Sequence, residues 1–476
     1  MINVRLLLVL AGGAAVVWSI SRWRQAVQLA MVLIILEGAL RKWVFPSAQD
    51  LVYFAKDVFL LGAYIGFFRE RHRLRARLPR LPALDALLSA AALYGLLEVL
   101  NPLLPNLLVG VLGFKAYFFY VPLLWVVPAA FPSAGELARF LRRYALLSIP
   151  VGLLAVAQFF SSPTSILNTY ARPGEGEIFF ATTFGSSSFV RVTGTFSFIS
   201  GYTSYLLAMT ILIMGLLGAA RWRFRGNLLM FLALAMNLLG ILMTGSRGPL
   251  LMLTFLLPLY WWLVVAREQG GGAIFGRIIL GLSLVLGLVS YAGQDALSAF
   301  YGRATTASDA PTRLAAPFQQ PFDLFSDAGL FGFGIGATHQ TAVAVTKGLV
   351  PYSWTRGIVV EGETGRIMLE LGSVGFLLMF IIRLVLALSA LRRSRLVRHP
   401  YFRGVATACF LFLVAQIIGG VVFDVVTGVY YWFFAGLLGL MEQLDREAAL
   451  AKSRAAAAPA RPELISSKAA GQAQAR

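Results

Sequence analysis

Two arginines are the residues of this chain best placed to bind a charged substrate. Arg191 begins the segment RVTGTFSFISGYT just ahead of an apolar run, and Arg247 lies in the turn TGSRG between two strongly apolar segments. A guanidinium is permanently charged and presents a forked set of donors, so the pair predicts an anion site suited to phosphate. Arginines at helix ends also extend to lipid head groups, and an anchoring role stays open for both.

Candidate proton-transfer groups lie in one polar stretch, 292–365. It is about 70 residues long, whereas ordinary connections have about two to eight. His339 follows the sequence GFGIG, and Glu361 and Glu363 lie in EGETGR where the chain becomes apolar again. Imidazole and carboxylate groups are typical general bases. A structural histidine and acids that cap a helix N-terminus remain the alternatives.

Other charged residues lie in or beside apolar segments. Arg41, Lys42 and Lys115 are further cations that could contact the same anion, and Arg41-Lys42-Trp43 also fits an interfacial aromatic anchor or a contact to a lipid head group. Ionisable groups at such positions usually pair with one another or line a cavity. This applies to Glu37, Lys56, Asp57, Glu98 and Asp424. Because Lys56 and Asp57 are adjacent, they point in different directions on a helix and need separate partners.

The elements that must position these residues are membrane helices. Of 476 residues, 58% are hydrophobic and 13% are charged, whereas a soluble domain has about a quarter charged residues. Repeated apolar runs of about 17 to 25 residues predict an all-α, polytopic transmembrane helical bundle of about 12–13 helices with one large periplasmic loop. The candidate spans are 4–20, 25–40, 51–68, 84–104, 109–131, 144–160, 196–219, 227–244, 250–266, 278–292, 366–388, 404–423 and 427–441.

Clusters of arginine fall on every second connection between these spans, and the positive-inside rule makes that side cytoplasmic. The N-terminus and the long polar stretch are then outside. The predicted organisation has four parts. They are about ten helices within 1–291, the periplasmic loop 292–365, the last transmembrane helices within 366–441, and a cytoplasmic, disordered tail at 442–476.

Several classes of function are disfavoured. Cys409 is the only cysteine, which excludes a disulfide and cysteine metal sites. Metal-binding, Walker A and nucleophile-elbow motifs are absent, and GFGIG lacks the spacing and context of a dinucleotide fingerprint. The net charge of +19 is explained by cytoplasmic loops without invoking nucleic acid. We therefore expect no cofactor, no metal and no nucleic-acid partner.

Four motifs together are similar to one family. They are Arg191 in RVTGTFSFISGYT, Arg247 in TGSRG, GFGIG before a polar loop, and EGETGRIMLELGSVGFLL. With them, roughly residues 30 to 440 resemble the bacterial O-antigen ligase and Wzy-type polysaccharide polymerase superfamily. The segments LRKWVFP…LVYFAKD and GFKAYFFYVPLL are similar to its polymerase-like branch.

The resemblance implies a metal-independent, inverting membrane glycosyltransferase. Its donor would be a glycan on undecaprenyl pyrophosphate at the periplasmic face of the bacterial inner membrane, with membrane lipids and other polysaccharide-assembly proteins as possible partners. Arg191 and Arg247 match the family's functional arginines. His339 matches its histidine more loosely, because family ligases carry that residue just before the following span, where this chain has Glu361 and Glu363.

The resemblance thus favours a polymerase that joins lipid-linked oligosaccharide repeats into a surface or exported polysaccharide. A ligase that transfers the glycan to lipid A-core or another acceptor is the nearest alternative. A transporter or flippase of the same lipid-linked sugar is an alternative of another class. It would favour two repeated halves, and none is recognisable in the sequence.

Overall fold

The computed structural model describes residues 4–74, 81–171, 179–184, 189–219, 224–260, 262–263, 287, 294–306, 310–346 and 353–457. Within them the chain is an all-α helical bundle. Two short strands, β1 Thr169–Tyr170 and β2 Phe179–Phe180, pair in the antiparallel direction.

Helices of the first half follow one another with short connections. The ranges are α1 Val4–Ser21, α2 Trp23–Ala39, α3 Gln49–Tyr53, α4 Ala55–Leu74, α5 Pro82–Val99, α6 Leu107–Phe118, α7 Leu123–Ala130, α8 Ala134–Leu146 and α9 Ser148–Phe160. A π-helical turn, Leu40–Val44, extends α2.

Longer helices dominate the second half. The ranges are α10 Ile199–Ala219, α11 Phe224–Thr244, α12 Arg247–Tyr260, α13 Gln294–Thr306, α14 Ala310–Asp323, α15 Phe325–Ala328, α16 Gln340–Val345, α17 Glu363–Leu396, α18 Pro400–Ala415 and α19 Val425–Ala457.

The apolar segments predicted from the sequence coincide with helices where they are described; apart from residue 287, the segment 278–292 lies outside the described residues. Seven helices in the described part of the chain are long and apolar enough to cross a membrane. The number becomes eight if α6 and α7, which are bent by 46°, form one span. The shorter helices α1, α12 and α18 are apolar without meeting that length, so the described residues support seven or eight of the expected 12–13 crossings by length and composition.

Two features differ from the sequence prediction. The stretch 292–365 contains α13, α14, α15 and α16, so much of it is helical. The last described helix, α19, continues to Ala457, past the predicted span end at 441, so the first part of the predicted tail is helical. Its Ala-rich end, AALAKSRAAA, has a high helix propensity that explains the extension.

Helix α19 is the centre of the bundle. In the most apolar 18-residue window of Val425–Ala451, 83% of the residues are buried inside the protein. It packs against α7, α10, α17 and α18. The segment just before α19 is therefore held between several helices at one end of the bundle, and this end carries the candidate site.

Candidate functional site

A buried ionic cluster joins the first helices at this end. Lys56 Nζ lies 2.7 Å from Glu37 Oε2, and Arg41 Nη1 lies 3.7 Å from Glu37 Oε1. Lys115 Nζ lies 2.7 Å from Asp57 Oδ2. Three cations thus share two carboxylates, which leaves the cluster with a positive excess.

Lys56 and Asp57 follow the sequence prediction that adjacent helical residues need different partners. Lys56 pairs with Glu37 on α2, whereas Asp57 pairs with Lys115 on α6 and accepts a hydrogen bond from Tyr120 Oη at 2.7 Å. Buried charges that are paired and hydrogen-bonded in this way lock helices in register, because removing one partner leaves the other uncompensated.

The π-helical turn Leu40–Val44 aims two consecutive cations in different directions. Arg41 donates from Nη1 to Ser197 Oγ at 2.9 Å and from Nε to the carbonyl of Gln49 at 3.1 Å. Lys42 donates to Thr193 Oγ1 at 3.2 Å and to the Gly194 carbonyl at 2.9 Å. Local π-helical turns are frequent at functional sites, and this one ties α2 to the segment that precedes α10.

A cavity of about 610 Å³ lies against this cluster. Its charged and polar lining comes from distant parts of the chain: Glu37, Arg41, Asp50, Lys56, Ser197, Ser200, His339, Gln340 and Asp424. Its aromatic lining is Tyr53, Phe54, Tyr170, Phe196, Phe198 and Phe423. A mostly apolar pocket with a few convergent charged groups is the usual form of a ligand site.

The Tyr53 ring is the part of this wall most strongly surrounded by positive charge. Lys56 Nζ lies 4.6 Å from the ring centroid, and both Arg41 Cζ and Lys115 Nζ lie 5.1 Å from it. Three cations therefore lie beside the Tyr53 ring. The part of the cavity next to this ring is suited to an anion that packs beside an apolar surface.

The glycine-rich segment GFGIG positions His339 in the wall of the cavity. Gly336, with a φ of +90°, packs so closely on the backbone of Gly113 and Val109 that a Cβ would collide with it. The next polar residue, Thr338, donates from both N and Oγ1 to Glu370 Oε1 at 2.8 Å. Glycine is needed at Gly336 because the positive φ and the close contact both exclude a side chain.

Helix α17 supplies the other half of this attachment through its kink at Gly372, where φ is +62°. Phe333 N donates to the Leu369 carbonyl at 2.8 Å, and Gly334 N donates to the Glu370 carbonyl at 3.0 Å. The backbone before His339 is thus hydrogen-bonded to a long helix, so the imidazole is held by a rigid element although it lies in a loop.

His339 is half-buried in a positive environment. Burial, and then the nearby charges of Lys115 and Arg366, lower its pKa to about 4. Its ring centroid lies 6.2 Å from that of Phe423, and Arg366 Cζ lies 4.8 Å from the same Phe423 ring. At neutral pH the imidazole is uncharged.

This lowered pKa predicts a pH-dependent stability. An unfolded histidine has a pKa of about 6.5, so the unfolded chain binds more protons between about pH 4 and 6.5. The contribution of His339 to the free energy of unfolding is therefore fully present above about pH 6.5. It falls by an amount on the order of 1 to 3 kcal/mol as the pH drops toward 4. Thermal unfolding midpoints in detergent at pH 7 and 4.5 should separate less in His339→Asn than in the wild type. The exposed His72→Asn is the matched control. An equal difference between the midpoints at pH 7 and pH 4.5 in all three proteins would contradict the prediction.

Arg191 and Arg247 lie together but apart from this lining. Arg191 Nε donates to the Thr244 carbonyl at 2.9 Å, three residues before Arg247, which is the first residue of α12. Arg191 N also donates to the Thr182 carbonyl at 2.8 Å. Neither arginine is among the described residues that line the cavity. The structure thus brings Arg191 and Arg247 to the same turn. His339 instead lines the cavity, which lies at the same end of the bundle and does not include either arginine among its described lining residues.

Of the remaining predicted residues, Glu363 is engaged in structure. It is buried, forms an ion pair with Arg383, and accepts from Val422 N at 2.9 Å and Phe423 N at 3.2 Å through Oε2. Glu361 is exposed and does not line the cavity among the described residues. The geometry thus places only His339 of these three candidate bases in the cavity.

Asp424 is the cavity residue that the sequence-based choice of bases did not include. From the sequence it is one of several ionisable groups in or beside apolar segments, which either pair with one another or line a cavity. Its carboxylate accepts from Ser204 Oγ and Val426 N. A signal was present in the sequence, since Asp424 is an acid between two apolar runs, at a position where such groups often line cavities.

Comparison with known proteins adds no assignment. A scan against protein-family models gives no match, and a search of curated proteins gives none either. In the described part of the chain, no group of three or more His, Cys, Asp and Glu side chains is arranged to hold a metal ion. The function is accordingly argued from the cavity itself.

Proposed function

We propose that the protein is a bacterial inner-membrane glycosyltransferase. It polymerises oligosaccharide repeats carried on undecaprenyl pyrophosphate into a surface or exported polysaccharide. The observation that carries this proposal is the cavity whose lining includes Arg41, Lys56, His339 and Asp424 together with six aromatic rings. Its cations are suited to an anion, and its imidazole and carboxylate are groups that can exchange a proton.

The cationic end suits the pyrophosphate of the donor. When the glycosidic carbon–oxygen bond breaks, negative charge grows on the departing pyrophosphate. Arg41, which is 5% exposed, is positioned by its bonds to Ser197 and Gln49 before any ligand arrives. Fixed charges that need no reorganisation stabilise such a transition state strongly in a site of low dielectric.

The aromatic lining suits the sugars. Tyr53, Tyr170, Phe196, Phe198 and Phe423 offer flat apolar surfaces beside polar side chains. An oligosaccharide has apolar ring faces and a rim of hydroxyls, so it can pack against the aromatic rings while a few polar groups fix its orientation. A volume of about 610 Å³ accommodates a few sugar units at a time, as expected for a transferase that joins the end of one chain to another.

This arrangement requires the cavity to open at the outer face. The cavity is at the end of the bundle that also carries Arg191, Arg247 and the segment 292–365, and the positive-inside rule assigns this end to the periplasm. In the proposal, Arg191 and Arg247 form a second cationic region for the carrier lipid's phosphates or for a neighbouring lipid head group.

The test is polymerisation by the purified protein. We expect incubation with an undecaprenyl-pyrophosphate-linked repeat unit to give a ladder of longer lipid-linked glycans on a gel. Arg41→Ala should lower the initial rate by about 100-fold, the usual effect of removing one preorganised electrostatic contact. The exposed Arg5→Ala is the matched control and should retain wild-type rates.

Other products would identify the alternatives. Transfer to an added lipid A-core acceptor without elongation would identify a ligase. Movement of intact substrate across proteoliposomes without new glycosidic bonds would identify a transporter. Absence of all new glycosidic bonds with the wild-type protein would overturn the glycosyltransferase proposal.

A further inference from the structure

We propose that Asp424 is the group that accepts the proton of the attacking sugar hydroxyl, and that His339 binds the substrate as a neutral imidazole. This inference rests on the proposed glycosyltransferase function and assigns its general base. Asp424 lies in the connection between α18 and α19, far along the chain from the segment 292–365.

Hydrogen bonds fix the carboxylate of Asp424. Ser204 Oγ donates to Oδ2 at 2.7 Å, and Val426 N donates to Oδ1 at 3.0 Å. Thr427 Oγ1 in turn donates to Ser204 Oγ at 2.7 Å, and the side chain and backbone of Thr427 also interact with the carboxylate. A carboxylate has about four lone-pair sites, and the bonds from Ser204 and Val426 use one on each oxygen, so a hydroxyl that enters the cavity competes with Thr427 for the others.

A second network holds the backbone that carries Asp424. Glu363 accepts from the amides of Val422 and Phe423, the two residues directly before it. Arg383, the partner of Glu363, donates from Nη1 to the carbonyls of Ile417 at 3.0 Å and Gly419 at 3.3 Å. This buried ion pair therefore forms hydrogen bonds to residues on both sides of the turn before Asp424. Glu363 is accordingly a positioning residue.

The neighbours of His339 argue against that residue as the proton acceptor. Accepting a proton creates an imidazolium, and the positive charges of Lys115 and Arg366 act against it. Asp424 becomes neutral when it takes a proton, so it adds no positive charge to a cavity that already has Arg41 and Lys56 in its wall. Electrostatics thus favours the carboxylate for proton transfer and leaves the neutral imidazole for hydrogen bonding.

The reaction balances without a co-reactant. The acceptor's hydroxyl oxygen forms a bond to the anomeric carbon of the donor glycan, and the bond from that carbon to the pyrophosphate oxygen breaks. The bonding electron pair leaves with the pyrophosphate toward Arg41. The hydroxyl proton passes to the Asp424 carboxylate and is later released to water.

The alternative is that Asp424 only caps α19. Asparagine caps helices about as well as aspartate, yet its amide is not a base. Asp424→Asn therefore separates the two roles. We expect it to keep the wild-type unfolding midpoint and to bind undecaprenyl pyrophosphate within about threefold of the wild type. The rate constant for polymerisation should fall by about 100-fold or more, as for other general bases.

Further variants sharpen the test. Asp327→Asn changes an exposed acid outside the cavity and is the matched control. His339→Gln retains a neutral hydrogen-bonding side chain and should stay within about tenfold of the wild-type rate constant. In Asp424→Ala, added formate should restore part of the rate by acting as a diffusible base, whereas formate should not assist Arg41→Ala.

The outcomes separate this inference from the proposed function. Polymerisation by Asp424→Asn within tenfold of the wild type would overturn the role of Asp424 while leaving the function intact. A loss of about 100-fold or more in His339→Gln, with Asp424→Asn active, would assign the base to His339 instead. A wild-type protein that forms no glycosidic bond would overturn the function on which the inference rests.

Discussion

Replacement of Lys56 by alanine is expected to lower the free energy of unfolding by about 3 to 5 kcal/mol, the usual cost of breaking a buried ion pair. Lys56 is 1% exposed, and its ammonium lies between Glu37 at 2.7 Å and Asp57 at 3.9 Å. Without it, Arg41 at 3.7 Å is the cation that the described residues still provide for Glu37. The measurement is reversible denaturant-induced unfolding in mixed micelles, followed by the loss of helical signal.

Arg5→Ala is the matched control for that change. It removes a cation whose pair with Asp50 spans 3.9 Å between exposed side chains, and exposed pairs of this kind contribute about 0 to 1 kcal/mol. A double variant, Lys56→Met with Glu37→Gln, removes one cation and one carboxylate together and should recover part of the loss. Equal unfolding curves for Lys56→Ala and Arg5→Ala would show that the ionic cluster does not stabilise the bundle.

The second large effect is expected at Glu363. Glu363→Ala leaves Arg383, 2% exposed, without its carboxylate and frees the amides of Val422 and Phe423. The unfolding free energy should fall by about 3 to 5 kcal/mol. Polymerisation should also be lost, because the turn that carries Asp424 is no longer held. Both quantities can be measured on one preparation, by denaturant titration and by the appearance of longer glycans.

A second substitution distinguishes positioning from stability. Glu363→Ala with Arg383→Met removes the uncompensated guanidinium, so the double variant should regain most of the stability. Its turnover should stay low, because neither side chain then holds the turn before Asp424. Full recovery of turnover along with stability would mean that the Asp424 carboxylate is positioned without this network.

The helical bundle could be predicted from the sequence because apolar run length reports directly on membrane helices. The predicted segment 427–441 falls inside the helix Val425–Ala457, and the segment 51–68 is covered by the helices Gln49–Tyr53 and Ala55–Leu74 except at Phe54. The separate partners of Lys56 and Asp57 were also predictable, since helix geometry alone sends adjacent side chains in different directions. Helix ends were less accessible, because the Ala-rich continuation of α19 is favourable for a helix but not apolar enough to resemble a span.

The cavity could not be predicted, because its walls meet only through tertiary packing. Arg41, His339 and Asp424 come from three distant parts of the chain and have no shared spacing. Glu363 illustrates the difficulty best. An acid before an apolar helix fits both a general base and a structural group, and only its bonds to Arg383 and to the turn before Asp424 decide between them.

The residues that line the cavity are far apart in the sequence, and this separation affects the order in which the protein assembles during biosynthesis. The ionic cluster uses residues between Glu37 and Lys115, so it can form once the first six helices have entered the bilayer. The cavity needs residues as late as Val426, the second residue of α19. A nascent chain can therefore form its ionic cluster early but completes the cavity only when α19 inserts, so in the proposed glycosyltransferase no partly synthesised chain would turn over carrier lipid.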